Sequence, residues 1–381
     1  MWDLFLNKNV LFGAGRIKET AGILQQQKVQ KVFIVTYDGQ APVVLTLQGL
    51  LKDNDLGFTV YDAVKTEPDL HVINKGTHFL KIENCDAVLA VGGGSVLDAA
   101  KAIAMLATNG GLIEEYQMGQ KTVVKPTLPV VVIPTTSGTG SEATKVSVIH
   151  NNYNGLKKSA YSNYMIAETV ILDPEVTLSL PARLTASTGM DALSHAIESY
   201  VSLNANPMTE MWGLKAIELI NRSLVKAVHE GNDAEARGDM MLASYLAGCA
   251  LHAGIGIAHI IAQPLGGMFK IPHGDACSIF LPIAMEVNLE YSVKKYCKIA
   301  EALGINTTGL TEVGAARLGI KRIAEIRAQA NAPQKLSEYV DCDSLSLDEV
   351  LVAIEKSTGH IKCNPRPVDR SLLAEVIKKA M

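Results

Sequence analysis

The chain has 381 residues, more than one ordinary domain, and its 48% hydrophobic and 19% charged residues supply a large core and argue against disorder. The formal net charge is −4 with no run of Lys or Arg, which disfavours nucleic acid and anionic membranes as partners. The six cysteines (Cys85, Cys249, Cys277, Cys297, Cys342, Cys363) form no CxxC pair and predict free thiols in a reducing cytoplasm. The first residues, "MWDLFLNKNVLFGAG", lack the basic and apolar regions of a signal peptide, and no apolar stretch approaches the roughly 20 residues that span a bilayer, so no membrane is expected.

The first 180 residues alternate β-rich runs with helical patterns. The runs are "KVFIVT" (Lys31 to Thr36), "GFTVYD" near residue 60, "DAVLAVGGGS" (Asp86 to Ser95) and "LPVVVIPTT" (Leu128 to Thr136). Runs this continuous predict strands buried on both faces, and with intervening helices such as Ser95 to Ala107 they predict a doubly wound α/β domain with a parallel sheet, over residues 1–180. "VGGGSVLDAAK" (Val91 to Lys101) reads as strand, glycine turn and helix, with Ser95 as the helix cap. Such a turn lets a phosphate approach free N–H groups at a helix N-terminus, although it is neither GxGxxG nor a P-loop and an ordinary βα turn reads the same way. "PTTSGTGSE" (Pro134 to Glu142) follows the next strand, so Thr135, Thr136 and Thr139 fall at the carboxyl edge of the sheet, where nucleotides bind in such folds.

Two prolines bracket a connection at "DPEVTLSLPARL" (Asp173 to Leu184), and residues 181–381 then read as all helical. Pro207 suits a helix start and Gly231 a position just past a helix end. A crevice between the two halves is the expected place for a ligand. "GMDALSHAIES" spaces Asp191 and His195 at i, i+4, on one helix face and about 5–6 Å apart at Cβ. Taken alone, that pair reads better as an Asp–His hydrogen bond on a helix surface. "AHIIAQPLGGMFKIPHG" adds His259, in an Ala/Ile-rich segment where an unpaired imidazole is costly to bury, and His273, in a Pro-His-Gly turn. One carboxylate and three imidazoles suit Fe(II) or Zn(II) better than Mg or Ca.

"GGGSVLDAAK", "PTTSGTGSE", "DALSHAIESY" and "PLGGMFKIPHG", in this order and followed by "NPRPV" (Asn364 to Val368), resemble the iron-containing (group III) alcohol dehydrogenases over nearly the whole chain. The resemblance implies a Rossmann-like dinucleotide-binding domain, an all-α metal-binding domain, NAD(H) and Fe(II) or Zn(II) as cofactors, and a homodimer or larger homo-oligomer. It places the metal on Asp191, His195, His259 and His273. It places the pyrophosphate turn at Gly93, Gly94, Ser95 and Asp98, nucleotide contacts at Thr135, Thr136 and Thr139, a lysine near the ribose at Lys157, and an apolar cofactor contact at Leu178. Tyr37 and Asp38 stand where many relatives put an Asp on the adenosine ribose, and NAD is the expected cofactor.

The chain also departs from that family. Many relatives have a second His four residues after the third ligand; here it is Gln263, which cannot titrate, so a proton must travel by water, a ribose hydroxyl or another histidine. His252, Gln263, His360 and Lys145 would make the substrate pocket more polar and cationic than one built for alkyl alcohols. The expected substrate is a small polar or anionic aldehyde, such as sulfoacetaldehyde (giving isethionate) or phosphonoacetaldehyde. Alternatives are a short-chain alcohol or diol dehydrogenase, a lyase like dehydroquinate synthase, which would show no net change in NADH, and a non-enzymatic scaffold.

Overall fold

The computed structural model describes residues 2–153, 157–342, 345–355 and 362–381. It divides into two compact units: residues 3–136 with 140–178, and residues 179–381 with Trp2 and the short segment 137–139.

Among its described residues, the first unit carries eight strands: β1 (Asn9–Phe12), β2 (Lys31–Thr36), β3 (Gly57–Tyr61), β4 (Ala87–Gly92), β5 (Val130–Pro134), β6 (Val146–His150), β7 (Lys157–Tyr161) and β8 (Thr169–Leu172). Six form one parallel sheet in the order β1-β8-β5-β4-β2-β3, and β6 and β7 pair as an antiparallel hairpin. The inner strands are buried along almost their whole length, which is why their sequences are continuous apolar runs. On one face, Val32, Ile34, Leu89, Val91, Val131 and Ile133 pack against Leu24, Val44, Leu47 and Leu51 of the helices Thr20–Gln26 and Pro42–Asp53. On the other, Phe33 stacks on Tyr61 at 5.5 Å and meets Phe79 of the helix Leu70–Ile82 edge-on. Helices on both faces make the sheet doubly wound, as the alternating pattern predicts.

The strand order reverses beside β2: the chain passes from β2 outward to β3, then returns to β4 on the other side of β2. That reversal opens the carboxyl edge between β2 and β4, where ligands bind in open α/β sheets. The helix Gly94–Asn109 starts there. Ser95 does not cap it: Gly93 is the N-cap, no side chain accepts from the first turn, and Ser95 lies inside that turn. The N–H groups of the first turn are therefore left for a partner other than a capping side chain.

Among its described residues, the second unit contains no strand. Its helices run Ala182–Val201, Pro207–His229, Ala234–Ala250, Ile257–Phe269, His273–Asn288, Val293–Ala302, Glu312–Gln329, Leu347–Glu355 and Arg370–Ala380. Asn206 caps the second of these through Oδ1 to the N–H groups of Met208 and Thr209, with Pro207 at the first helical position; Gly231 lies two residues past its end. The helix Ala182–Val201 is buried from Thr185 to Val201 at every residue but Thr188. It is a central strut, so Asp191 and His195 lie inside the unit, not on a helix surface. No single helix among the described residues is long and apolar enough to cross a membrane.

Candidate active site

Three helices of the second unit bring one carboxylate and three imidazoles together. Asp191 and His195 come from the helix Ala182–Val201, His259 from Ile257–Phe269 and His273 from His273–Asn288. Asp191 Oδ1 lies 3.5 Å from His259 Nε2, 3.6 Å from His273 Nε2 and 3.7 Å from His195 Nε2. The His195 and His259 rings stack with centroids 4.5 Å apart. These separations are too long for good hydrogen bonds. They match the roughly 3.3–3.8 Å between neighbouring ligand atoms that each sit about 2.0–2.3 Å from one tetrahedral ion. Asp191 Oδ1 and His259 Nε2 are buried with no hydrogen-bond partner among the described residues, a costly arrangement unless a further group joins them. The donor set and the orphaned atoms fit a divalent metal.

Close backbone contacts hold the candidate ligands. His273 is not in a turn: it is the first residue of its helix, and Gly274 follows it against Ser187 of the Asp191 helix. A Cβ on Gly274 would stand 2.1 Å from the Ser187 carbonyl oxygen, so only glycine permits the approach. Asp275, one residue on, accepts from Tyr339 Oη at 2.5 Å and from Arg183 at 2.8 Å, tying the start of this helix to the Asp191 helix. Gly138 packs on Thr188 with no room for a Cβ, and its carbonyl lies 3.3 Å from His195 Nδ1, leaving Nε2 to face Asp191.

Glu198 is a residue that sequence reasoning missed. Its buried carboxylate lies 2.6 Å from His259 Nδ1 and accepts from the N–H groups of Ala258 at 2.7 Å and Gly256 at 3.0 Å. A carboxylate behind a ligating histidine fixes its tautomer and orientation. The signal was present in the sequence, because Asp191, His195 and Glu198 fall at i, i+4 and i+7. Cys277, one turn after His273, also escaped notice; its Sγ lies 3.7 Å from His273 Nε2.

The charges are strongly coupled. Burial pushes Asp191 up, but the imidazoles of His195, His273 and His259 outweigh it and hold the carboxyl far below its usual range. Burial drives His195 down to about 4, against the pull of Asp191. Burial also opposes charge on His259 and His273, yet Cys277 and Asp191, with Glu198 for His259, raise both. The carboxylates of Asp191 and Glu198 thus stay ionised beside the three imidazoles.

Most of the expected cofactor residues of the first unit lie at or just past the carboxyl ends of β2, β4 and β5; Lys157, at the start of β7, and Leu178, after β8, do not. Tyr37 and Asp38 follow β2; Tyr37 is exposed, and Asp38 Oδ1 accepts from the Gln40 N–H in a local turn. Gly93, Gly94 and Ser95 form the turn and first helical residues after β4, and Thr135 and Thr136 follow at the end of β5. Thr139 lies in the short segment that groups with the second unit. The Asp98 carboxylate is occupied within the protein: it accepts from Ser141 Oγ at 2.5 Å and the Val148 N–H at 2.9 Å, and pairs with Lys101 at 3.2 Å. Lys101 is fully buried and donates to the Ser141 carbonyl, Thr144 Oγ1 and the Val146 carbonyl, clamping the base of the hydroxyl loop. Lys157 Nζ pairs with Glu67 at 2.5 Å, and Leu178, half-buried, ends the first unit.

The expected substrate residues are dispersed. His252 and Gln263 are half-buried in the second unit, on a short 3-10 turn (Leu251–Ala253) and one helical turn beyond His259. Lys145 lies in the first unit, with its ammonium over the Phe5 ring and donating to Asn163 Oδ1. His360 lies outside the described residues.

Residues 7–174 match the family described as iron-containing alcohol dehydrogenase, and residues 185–381 match the C-terminal part of that family. The chain belongs to the iron-containing alcohol dehydrogenase family. It is 36% identical to the NAD-dependent methanol dehydrogenase of Bacillus methanolicus over the full length of both chains. It is 40% identical to the sulfoacetaldehyde reductase of Bilophila wadsworthia over 78% of this chain and 77% of that one. The crystal structure of a 1,3-propanediol oxidoreductase superimposes with a TM-score of 0.96, at 32% identity and full coverage of both chains. An alcohol dehydrogenase of this family is an oxidoreductase that works with NAD(H) and a divalent metal, and the Asp191 cluster is the candidate site for that metal here.

Proposed function

We propose that this iron-containing alcohol dehydrogenase interconverts a small polar aldehyde, preferentially an anionic one, with its alcohol. The observation that carries the reading is the buried cluster of Asp191, His195, His259 and His273, with two donor atoms that have no hydrogen-bond partner among the described residues. When bound, the metal would supply Lewis acidity toward a substrate oxygen, and NAD(H) the hydride.

The chain's own residues would do the rest. Asp191, His195, His259 and His273 hold the ion, and Glu198 keeps the His259 ring from turning. The uncapped helix start at Gly93, Gly94 and Ser95 offers N–H groups to a pyrophosphate. Thr135, Thr136 and Thr139 offer hydroxyls to the nucleotide, Tyr37 and Asp38 its ribose contacts, Lys157 a cation and Leu178 an apolar surface. Asp98 acts one step back, by fixing the hydroxyl loop through Ser141. Positioning of the two reacting carbons, with water excluded, supplies up to about 7–11 kcal/mol in well-oriented systems.

The preference for an anionic aldehyde rests on His252 and Gln263, polar groups flanking His259 in the sequence, with His360 and Lys145 as further candidates; the 40% identity to a sulfoacetaldehyde reductase supports it. The relatives named for methanol and 1,3-propanediol favour a second reading, a short-chain alcohol or diol dehydrogenase. The scattered cysteines, with no CxxC pair in the sequence, support a reducing cytoplasm, and the family resemblance supports a homodimer or larger homo-oligomer.

The test is NADH oxidation against acetaldehyde, propanal, lactaldehyde, succinic semialdehyde, sulfoacetaldehyde and phosphonoacetaldehyde, with Fe(II)- and Zn(II)-loaded enzyme. The proposal expects the highest kcat/KM for an anionic aldehyde, with a drop of about tenfold or more in His252→Ala. Equal rates on neutral and anionic aldehydes would leave the diol-type reading in its place, and turnover with no net change in NADH would point to the lyase.

A further inference from the structure

Five donors converge on a space suited to four. The ligand atoms of Asp191, His259, His273 and Cys277 all lie within 4.8 Å of one another. Cys277 sits at i+4 from His273 on the same helix face, and its Sγ lies 3.7 Å from His273 Nε2, the spacing of two ligands on one ion. The thiol is fully buried, within an apolar cluster that includes Ala276, Ile279 and Phe280. Both orphaned atoms, Asp191 Oδ1 and His259 Nε2, belong to the same set. His195 stands at the other side, stacked on His259 and held through Nδ1 by the Gly138 carbonyl.

We propose that Cys277 is a ligand of this metal site, so that two donor sets share Asp191, His259 and His273, one completed by the His195 imidazole and the other by the Cys277 thiolate. The inference rests on the metal site proposed above and adds a soft ligand to it. Formation of the sulfur–metal bond releases the thiol proton to solvent. A thiolate in the set shifts preference from Fe(II), which the all-N/O set suits, toward Zn(II) and Co(II). The Cys277 set favours a soft ion, while the His195 set, with sulfur unbound, is the all-N/O set described above.

Co(II) exchange into the purified enzyme tests this, read by absorption. The expected result is one Co(II) per chain, visible ligand-field bands, and a near-ultraviolet thiolate-to-cobalt charge-transfer band that grows with occupancy. In Cys277→Ser the charge-transfer band is lost and the visible bands remain, and preference for Zn(II) over Fe(II) in competition falls by about tenfold or more. Cys277→Ala gives the same loss should serine disturb the packing, and Cys249→Ser, a buried thiol elsewhere, keeps the band. His195→Ala retains it too. Co(II) bound with ligand-field bands alone in the wild-type enzyme overturns the thiolate while the metal site stands. Failure to bind Co(II) at all overturns both.

Discussion

Glu198 Oε2 lies 2.6 Å from His259 Nδ1, with both groups buried, and this contact fixes which ring nitrogen of His259 faces Asp191. The carboxylate has two further donors, the N–H groups of Gly256 and Ala258, so it is anchored independently of the ring it orients. Burial raises its pKa, but His259 and those N–H groups outweigh burial and keep it below the ordinary carboxylate range. Glu198→Gln removes the charge while keeping the shape. It is expected to weaken metal affinity by about 10–100-fold with little change in the KM for NADH. Metal competition against a chelator measures it, and wild-type affinity in the variant would remove Glu198 from the site's support.

The approach of two helices at Gly274 makes a second prediction. Gly274→Ala places a methyl 2.1 Å from the Ser187 carbonyl oxygen, a backbone atom that cannot step aside. The helix carrying His273 must move away from the helix carrying Asp191. Overpacking of this kind costs about 1–3 kcal/mol, and a ligand displaced by an ångström costs on the order of 100-fold in rate. A lowered Tm together with lost metal affinity is expected; a variant with unchanged metal content and turnover would contradict the packing described.

Much of the candidate site is legible in the sequence, and the exceptions have physical causes. Asp191 and His195 announce themselves by helical spacing, and the parallel strands β2, β4 and β5 by continuous apolar runs. The edge strand β1 and the hairpin strands β6 and β7 are partly exposed, so their sequences lack those runs. Ser95 looked like a cap because serine favours that position, but the chain already turns at Gly93. Glu198 and Cys277 were missed because each sits one helical turn past a residue that drew attention as a ligand. The function of Asp98 and Lys101 also needed the fold: nothing local shows that they reach across to residues 141–148.

Glu142 predicts a pH effect on stability. Burial, against the opposing pull of its backbone hydrogen bond and Lys101, pushes its carboxyl from 4.5 up to about 7. The folded protein therefore keeps a proton that the unfolded chain loses between these values. Unfolding releases that proton, so this group's contribution is full below about pH 4.5 and is lost as pH rises through about 7. Glu142→Gln cannot ionise. Its Tm relative to wild type is expected to rise between about pH 5 and about pH 8, by roughly 2–4 °C for each kcal/mol of ionisation cost removed. Parallel Tm curves for the two proteins across that range would refute the assignment.

The central claim is that Asp191 and the three histidines hold the metal on which turnover depends. Its most direct test is a titration of the metal-stripped enzyme with Zn(II) or Fe(II), reading bound metal and NADH oxidation together, in wild type and in His259→Ala. Activity is expected to rise in step with occupancy to one ion per chain, and His259→Ala to fold, bind metal at least about 100-fold more weakly and scarcely turn over. Full NADH oxidation by the metal-free enzyme, or by His259→Ala, would contradict it.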